Sequence, residues 1–187
     1  SLRALRAVDP GLQTDHVLAV EIAPPDMRYR NDRATQYYEE VAQVLSALPG
    51  VTSVGAIHLL PFTQSNWSFP YLAEGHRPPV DGPLPDANFR VVTPGYFKTV
   101  GIPLLEGRDV AASDVADGEA VGLINATMAA KLWPGERAVG RTIQLFGNRP
   151  FRVIGVVGDV RQQELDRAPR REMYIPLPQF TVAAMTV

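Results

Sequence analysis

Hydrophobic positions near the start of the chain alternate. Leu18, Val20 and Ile22 fall on one side and Val17, Ala19 and Glu21 on the other, the period-two pattern of a strand that Pro24-Pro25 ends. From Asp32 the spacing lengthens. Ala34, Tyr37/Tyr38, Val41, Val44/Leu45 and Leu48 recur every three or four residues and predict a helix with one apolar stripe. Asn31 or Asp32 can cap its free N–H groups, and Pro49-Gly50 stops it. Residues 51–60 read as a second strand, which completes a βαβ unit expected to be right-handed and parallel.

Beyond Pro61 the texture changes. Trp67, Phe69 and Tyr71 alternate as in a strand, while prolines at 70, 78, 79, 83 and 85 should hold much of residues 61–86 at a sheet edge or in loops. Phe89-Arg90-Val91-Val92 is a short strand. Thr93-Pro94 then starts a helical turn, with the threonine as cap and Gly101 as terminator. Residues 120–124 form another strand, followed by Asn125 as cap of a helix over 126–132 that Pro134-Gly135 ends. A cap acting alone would leave Asn125→Ser nearly neutral. Residues 141–146 and 151–157 make a hairpin around Gly147-Asn148, and 173–175 and 181–187 are the last strands. The expectation is an α+β fold in two lobes.

Composition narrows the chemistry. Eighteen basic against twenty acidic side chains give a formal charge of -2, which offers no broad basic surface to nucleic acid. Zero cysteines exclude a disulfide framework, a thiolate metal site and a cysteine nucleophile. Residues 41–73 carry no Asp, Glu, Lys or Arg, yet Pro49, Gly50, Pro61 and Thr63-Gln64-Ser65-Asn66 interrupt them, so they do not form a membrane span. His16, His58 and His76 are scattered without ligand spacing, so no metal site is expected. The acidic stretch Asp109, Asp114, Asp117 and Glu119 lacks a calcium-loop frame and reads as a solvated turn. Gly155-Val156-Val157-Gly158 is no phosphate loop, and there is no Gly-x-Ser-x-Gly elbow. Asn66-Trp67-Ser68 and Asn125-Ala126-Thr127 match the glycosylation triplet. Trp67, Phe69, Tyr71, Tyr96 and Phe97 are expected in the core rather than in a recognition patch. No catalytic, cofactor or metal residue is singled out.

Four segments carry a family resemblance. They are Leu5-Arg6-Ala7-Val8-Asp9-Pro10-Gly11-Leu12 with Asp15-His16-Val17-Leu18; the run 93–109 from Thr93-Pro94-Gly95-Tyr96-Phe97 to Glu106-Gly107-Arg108-Asp109; Ile124-Asn125-Ala126-Thr127-Met128-Ala129 through Trp133-Pro134-Gly135 to Val139-Gly140; and Val153-Ile154-Gly155-Val156-Val157-Gly158-Asp159-Val160-Arg161, closed by Tyr174-Ile175-Pro176-Leu177. In this order they resemble the extracytoplasmic core domain of MacB/FtsX-type ABC transporter permeases, most of all the duplicated orphan permeases. Ala126 departs from the acidic residue common there.

The resemblance implies a juxtamembrane segment over 1–13 and a porter-like βαβ lobe opened by 14–60. A strand-rich lobe would be inserted at 61–160, with a return to the first lobe over 161–187 that is incomplete at the C-terminal end. It also implies a non-catalytic periplasmic domain of an inner-membrane permease, one that transmits ATP-driven motion for export or efflux. Its partners would be a cytoplasmic ABC ATPase, a second permease copy or duplicated half, and a periplasmic adaptor or substrate. No cofactor and no nucleic acid enter. The alternative is a stand-alone periplasmic ligand- or peptide-binding module.

Overall fold

The computed structural model of the 187-residue chain describes residues 10–13, 15–24, 32–63, 66–145, 150–161, 168–182 and 184–187, with the backbone alone at position 32. The Asn31 and Asp32 caps, the Gly147-Asn148 turn and residues 1–9 of the juxtamembrane segment lie outside the described residues.

The architecture hangs on β7 (Phe151–Val157). One of its edges runs parallel to β5 (Val121–Asn125) along its whole length. The other is shared: Phe151 and Arg152 pair with β6 (Thr142–Leu145), and Gly155, Val156 and Val157 with β4 (Leu104–Gly107), both antiparallel. β5 also pairs antiparallel with β8 (Glu172–Pro176), and β8 runs parallel to β3 (Asp86–Val92). β3 pairs antiparallel with β2 (Ser68–Ala73), and β2 with β6. Because β6 returns to β7, the order β7-β5-β8-β3-β2-β6 closes on itself, and β4 lies alongside. Closure removes the free edges that an open sheet would present.

Alternation along these strands separates two apolar sets. Tyr71, Phe89, Val91, Ile143, Phe151 and Met173 face one core, which α3 (Ala126–Leu132) helps fill with Met128 and Leu132. Val92, Leu123, Ile154, Val157 and Tyr174 face the other, beneath Tyr96 and Phe97 of the single-turn α2 (Tyr96–Thr99). In β7 the alternation slips. Gly122 lies opposite Val153 but Leu123 lies opposite Gly155, so Ile154 is an extra residue and Val153 and Val156 share a face. A bulge of this kind increases the local bend, which closing a ring of few strands requires.

Pro70 corrects the expectation of an edge strand. β2 lies inside the ring, yet it changes partner at the proline: residues 68–70 pair with β3 and 71–73 with β6. A strand that exchanges neighbours midway tolerates one missing N–H. Thr93 is also corrected. Its hydroxyl accepts from the Ala56 N–H at 2.8 Å, and α2 begins at Tyr96 without a side-chain cap.

The N-terminal strand and helix form a smaller unit. β1 (Glu21–Ile22) pairs antiparallel with β9 (Met185–Thr186), extended by reciprocal bonds between Val20 and Val187 at 2.8 and 2.9 Å. The strand expected over 17–22 is short because its partner is. Residues 51–60 make a ladder contact only at Ile57, which bridges antiparallel to both Val92 and Thr186. Segment 53–56 packs instead on the α2 turn, through the bond to Thr93 and a 2.6 Å contact between the Ser53 and Thr99 hydroxyls. β1 and Ile57 are both antiparallel to β9, so they run parallel to each other with β9 between them. The βαβ unit is present, but split by the returning end of the chain. Its helix, α1 (Asp32–Ser46), buries Ala34 and Tyr38, and the Tyr38 hydroxyl donates to Ile22 O at 2.8 Å. Toward its C-terminal end the apolar stripe is wet: Val44 is 67% and Leu48 50% exposed.

One polar network lies among these apolar layers. Arg90 on β3 and Glu172 on β8 are 2% and 0% exposed and pair at 3.0 Å. The Tyr174 hydroxyl donates to Glu172 at 2.8 Å, and Arg90 donates to Asn66 Oδ1 at 2.9 Å. Hydrogen bonds to the other atoms of a buried ion pair offset its desolvation, and here Phe89 O, Asn66 and Tyr174 supply them. Beside it His58 stitches the small unit to the ring: its N–H donates to Val91 O at 3.1 Å, and its Nδ1 accepts from the Val91 N–H at 2.8 Å. Burial, and next the Arg90 charge, push this imidazole down to about 4.

Protonation of His58 therefore works against the folded state. Between pH 6.5 and about 4 the unfolded chain takes up a proton that the native ring refuses, so stability falls as pH drops through this window. The fall is up to about 3 kcal/mol, from 1.36 kcal/mol per pK unit. Urea midpoints measured from pH 7 down to 5 should decline more steeply for wild type than for His58→Gln, and equal slopes would refute the assignment.

Candidate functional site: the N-terminal joint

The three histidines do not converge. His58 serves the seam just described, His76 contacts Leu132 O through Nε2 at 2.8 Å, and His16 is exposed with φ 62. Among the described residues no group of three or more His, Asp or Glu side chains is arranged to hold a metal. No described helix is long and apolar enough to cross a membrane. Both asparagines of the glycosylation triplets are engaged in internal bonds: Asn66 donates to Asn88 Oδ1 at 2.9 Å and accepts from Arg90, and Asn125 is fully buried. Of the five aromatics, Tyr71, Tyr96 and Phe97 are buried and Phe69 partly so, while Trp67 stays half exposed.

The acidic stretch is only partly a solvated turn. Arg108 grips Asp114 with both terminal nitrogens at 2.9 and 2.7 Å, and the Ala111 N–H adds a third bond at 2.9 Å. These donors hold the Asp114 carboxyl below its ordinary range, whereas burial raises that of Asp109. A residue this well satisfied by protein donors is a structural pin.

What the structure does bring together is the set of segments singled out in the sequence. Pro10 O accepts from the Arg161 N–H at 3.0 Å, and the Gln13 N–H donates to Val100 O at 2.8 Å. Between these bonds Leu12 packs against the cluster containing Tyr96, Phe97 and Val160. Gly11 has φ +82, and a Cβ there would lie 2.1 Å from Asp159 O. Gly101 has φ +69, and a Cβ there would lie 2.7 Å from Gln13 Cγ. The backbone contact at Gly11 admits only glycine, and at Gly101 the left-handed conformation favours it. Asp159 continues the chain of contacts, accepting from the Thr127 N–H at 2.9 Å and the Thr127 hydroxyl at 2.8 Å. Its carboxylate therefore sits on the first turn of α3, where unpaired N–H groups favour an anion.

Asn125 completes the assembly. Its Oδ1 accepts from the Met128 N–H and the Glu172 N–H, each at 3.0 Å, and its Nδ2 donates to Arg170 O at 2.8 Å. The cap read from the sequence is present, but the same amide also fixes the start of β8. The joint thus links 10–13, the end of α2, the start of α3 and the 158–161 turn. Sequence spacing did not reveal Asp159 or Arg161 as contact points; their only signal was membership in the distinctive segments.

The double duty of Asn125 changes the expected outcome of substitution. Asn125→Ala should cost about 2–4 kcal/mol, as a lost cap adds to an unpaired buried N–H. Asn125→Ser, which keeps a cap but cannot reach both strands, should cost at least about 1 kcal/mol. Denaturant unfolding measures both, and a neutral serine variant would show that the cap is the whole role.

The sequence profile of the MacB-like periplasmic core domain matches residues 4–187. The chain is 32% identical over 72 residues to the macrolide export ATP-binding/permease protein MacB of Mannheimia succiniciproducens, covering 38% of this chain and 11% of that protein. It is 32% identical over 96 residues to the protein of the same name from Aggregatibacter actinomycetemcomitans, covering 51% of this chain and 14% of that one. Among solved structures, the periplasmic region of MacB from Actinobacillus actinomycetemcomitans superposes with a TM-score of 0.57 at 20% identity, over 100% of this chain and 78% of that one. The extracellular domain of the noncanonic ABC-type transporter YknZ from Gram-positive bacteria gives 0.54 at 19%, over 91% and 82%. Both share the mixed α/β fold with a sheet-rich core. With a profile match over nearly its whole length, and with that fold, the chain belongs to the MacB-like periplasmic core domain family.

Proposed function

We propose that this domain stands on the periplasmic side of the bacterial inner membrane as part of an ABC transporter permease. In this reading it catalyses nothing itself and carries outward, for export or efflux, the displacement that a cytoplasmic ABC ATPase generates. The observation that carries the reading is the N-terminal joint. The distinctive segments of the chain are occupied in fastening residues 10–13 to the ring rather than in lining a reactive cleft. A closed sheet with a filled interior deforms little, so motion delivered at one point moves the whole body.

The same reading accounts for the unfinished side. Residues 14–60 and 161–187 would form the porter-like lobe and 61–160 the strand-rich one. The outer edge of β1, with Leu18 82% exposed beside it, together with Val44 and Leu48, would be covered by a further βα segment of the permease. A second permease copy or duplicated half, and a periplasmic adaptor or substrate, are the partners this reading assigns.

One observation favours a second reading, a stand-alone ligand-binding module. A cavity of about 580 Å³ opens at the mouth of the ring, lined by Phe89, Leu145, Phe151, Ile175 and Phe180 among others. It falls in the size range of small-molecule sites. The two readings separate in the intact permease reconstituted with its ATPase. These 187 residues hold no cysteine, so Lys131→Cys on the exposed end of α3, in a permease and ATPase cleared of their own cysteines, gives the domain a unique label. The transporter reading predicts that ATP binding changes the label-to-label distance between two copies of the domain. A distance unaffected by nucleotide would refute motion transmission and leave the binding module.

A further inference from the structure

The joint differs mechanically from the stretch on its C-terminal side. Residues 10–13 are held by backbone bonds that include those at Pro10 O and the Gln13 N–H, by an apolar contact at Leu12, and by the close approaches of Gly11 to Asp159 O and of Gly101 to Gln13. The next backbone bond described along the chain is at Val20, just before β1. In between, Asp15, His16, Leu18 and Ala19 are exposed, and His16 adopts the left-handed conformation that breaks an extended run. The chain thus passes from a fastened strap, across exposed residues 15–19 with a left-handed turn at His16, into the two-stranded β1–β9 pair.

We propose that residues 10–13 are a latch that decides which part of the domain receives a pull from the N-terminal side. Docked, the strap delivers displacement to the ring through Val100, Asp159 and Arg161, and the stretch 15–19 keeps β1 and β9 unloaded. Released, the strap lets that stretch straighten before any force reaches β1, so movement is absorbed instead of passed on. A strap of four residues is held by few enough hydrogen bonds to release reversibly, while the closed ring has no edge from which to peel. The threshold is set by the fit of Gly11 under Asp159 O, since any side chain there both clashes and strains the left-handed backbone. This inference rests on the reading of the joint as the place where displacement arrives; its test needs neither membrane nor ATPase.

The test is single-molecule stretching of the 187-residue chain between its N-terminus and a handle on Lys131→Cys. Wild type should show an early rupture that precedes unfolding of the ring. It frees the ten or so residues up to β1, an extension of at most about 35 Å at ~3.5 Å per residue. Gly11→Val should lose this first event, with ring unfolding unchanged. Should Gly11→Val not fold, Gln13→Pro, which removes the donor to Val100 O together with the Gln13 side chain against Gly101, should lower the force of the first event. A wild-type trace without an early step, or an identical early step in the variant that folds, would overturn the latch. A domain with the latch but no nucleotide-driven movement would instead count against the transporter reading.

Discussion

A strand has two hydrogen-bonding edges, and Phe151–Val157 uses both. β5 occupies one edge, while β6 and β4 divide the other. That sharing turns a sheet of mixed direction into a closed ring, and the remaining features derive from closure. An inner face accepts only apolar side chains of fitting size, so the interior is filled with Phe, Ile, Met and Tyr. An outer face has to be covered, and α2 with Tyr96 and Phe97 covers it. The extra residue Ile154 supplies the local bend where β7 changes partner. The buried Arg90–Glu172 pair then ties the two central parallel strands in one register, because a slip by one residue would strand two charges without partners.

Local signals were legible and relational ones were not. The helix from 32, the strands read at 89–92, 120–124 and 151–157, and the Asn125 cap all arise from spacing, punctuation and side-chain chemistry within a few residues. Closure was invisible because it depends on which strands meet, and β4, with its Gly and Glu, carries no strong alternating pattern. Arg90 and Glu172 each read as ordinary polar positions; only their pairing makes them tolerable inside. The split of the N-terminal βαβ unit by β9 was likewise beyond any local reading. The joint falls between these cases. Its segments stood out by resemblance, but Gly11 and Asp159 gain meaning only through their contact.

Division of the molecule into a closed ring and a smaller βα unit is the physical basis of the proposed transmitting role. A transmitting element needs a body that holds its shape, a point of attachment and a surface for the next component. The ring, residues 10–13 and the open side around β1 correspond to these three needs. The two parts meet at the His58 seam, at the Ala56–Thr93 and Ser53–Thr99 bonds, and in the apolar cluster that Tyr38 shares with Tyr71 and Phe89.

The account depends most on the ring being the rigid body and the N-terminal unit its looser attachment. Native-state hydrogen exchange on the isolated 187-residue chain measures this directly. Bonded amides of Val121–Asn125 and Phe151–Val157 should exchange only through global unfolding, with opening free energies equal to that from denaturant. The Val20 and Val187 amides, in the short β1–β9 pair, should exchange at least ~100-fold faster through local opening, as expected of an edge with few buried contacts. Equal protection in both regions, or local opening within β5 and β7, would contradict it.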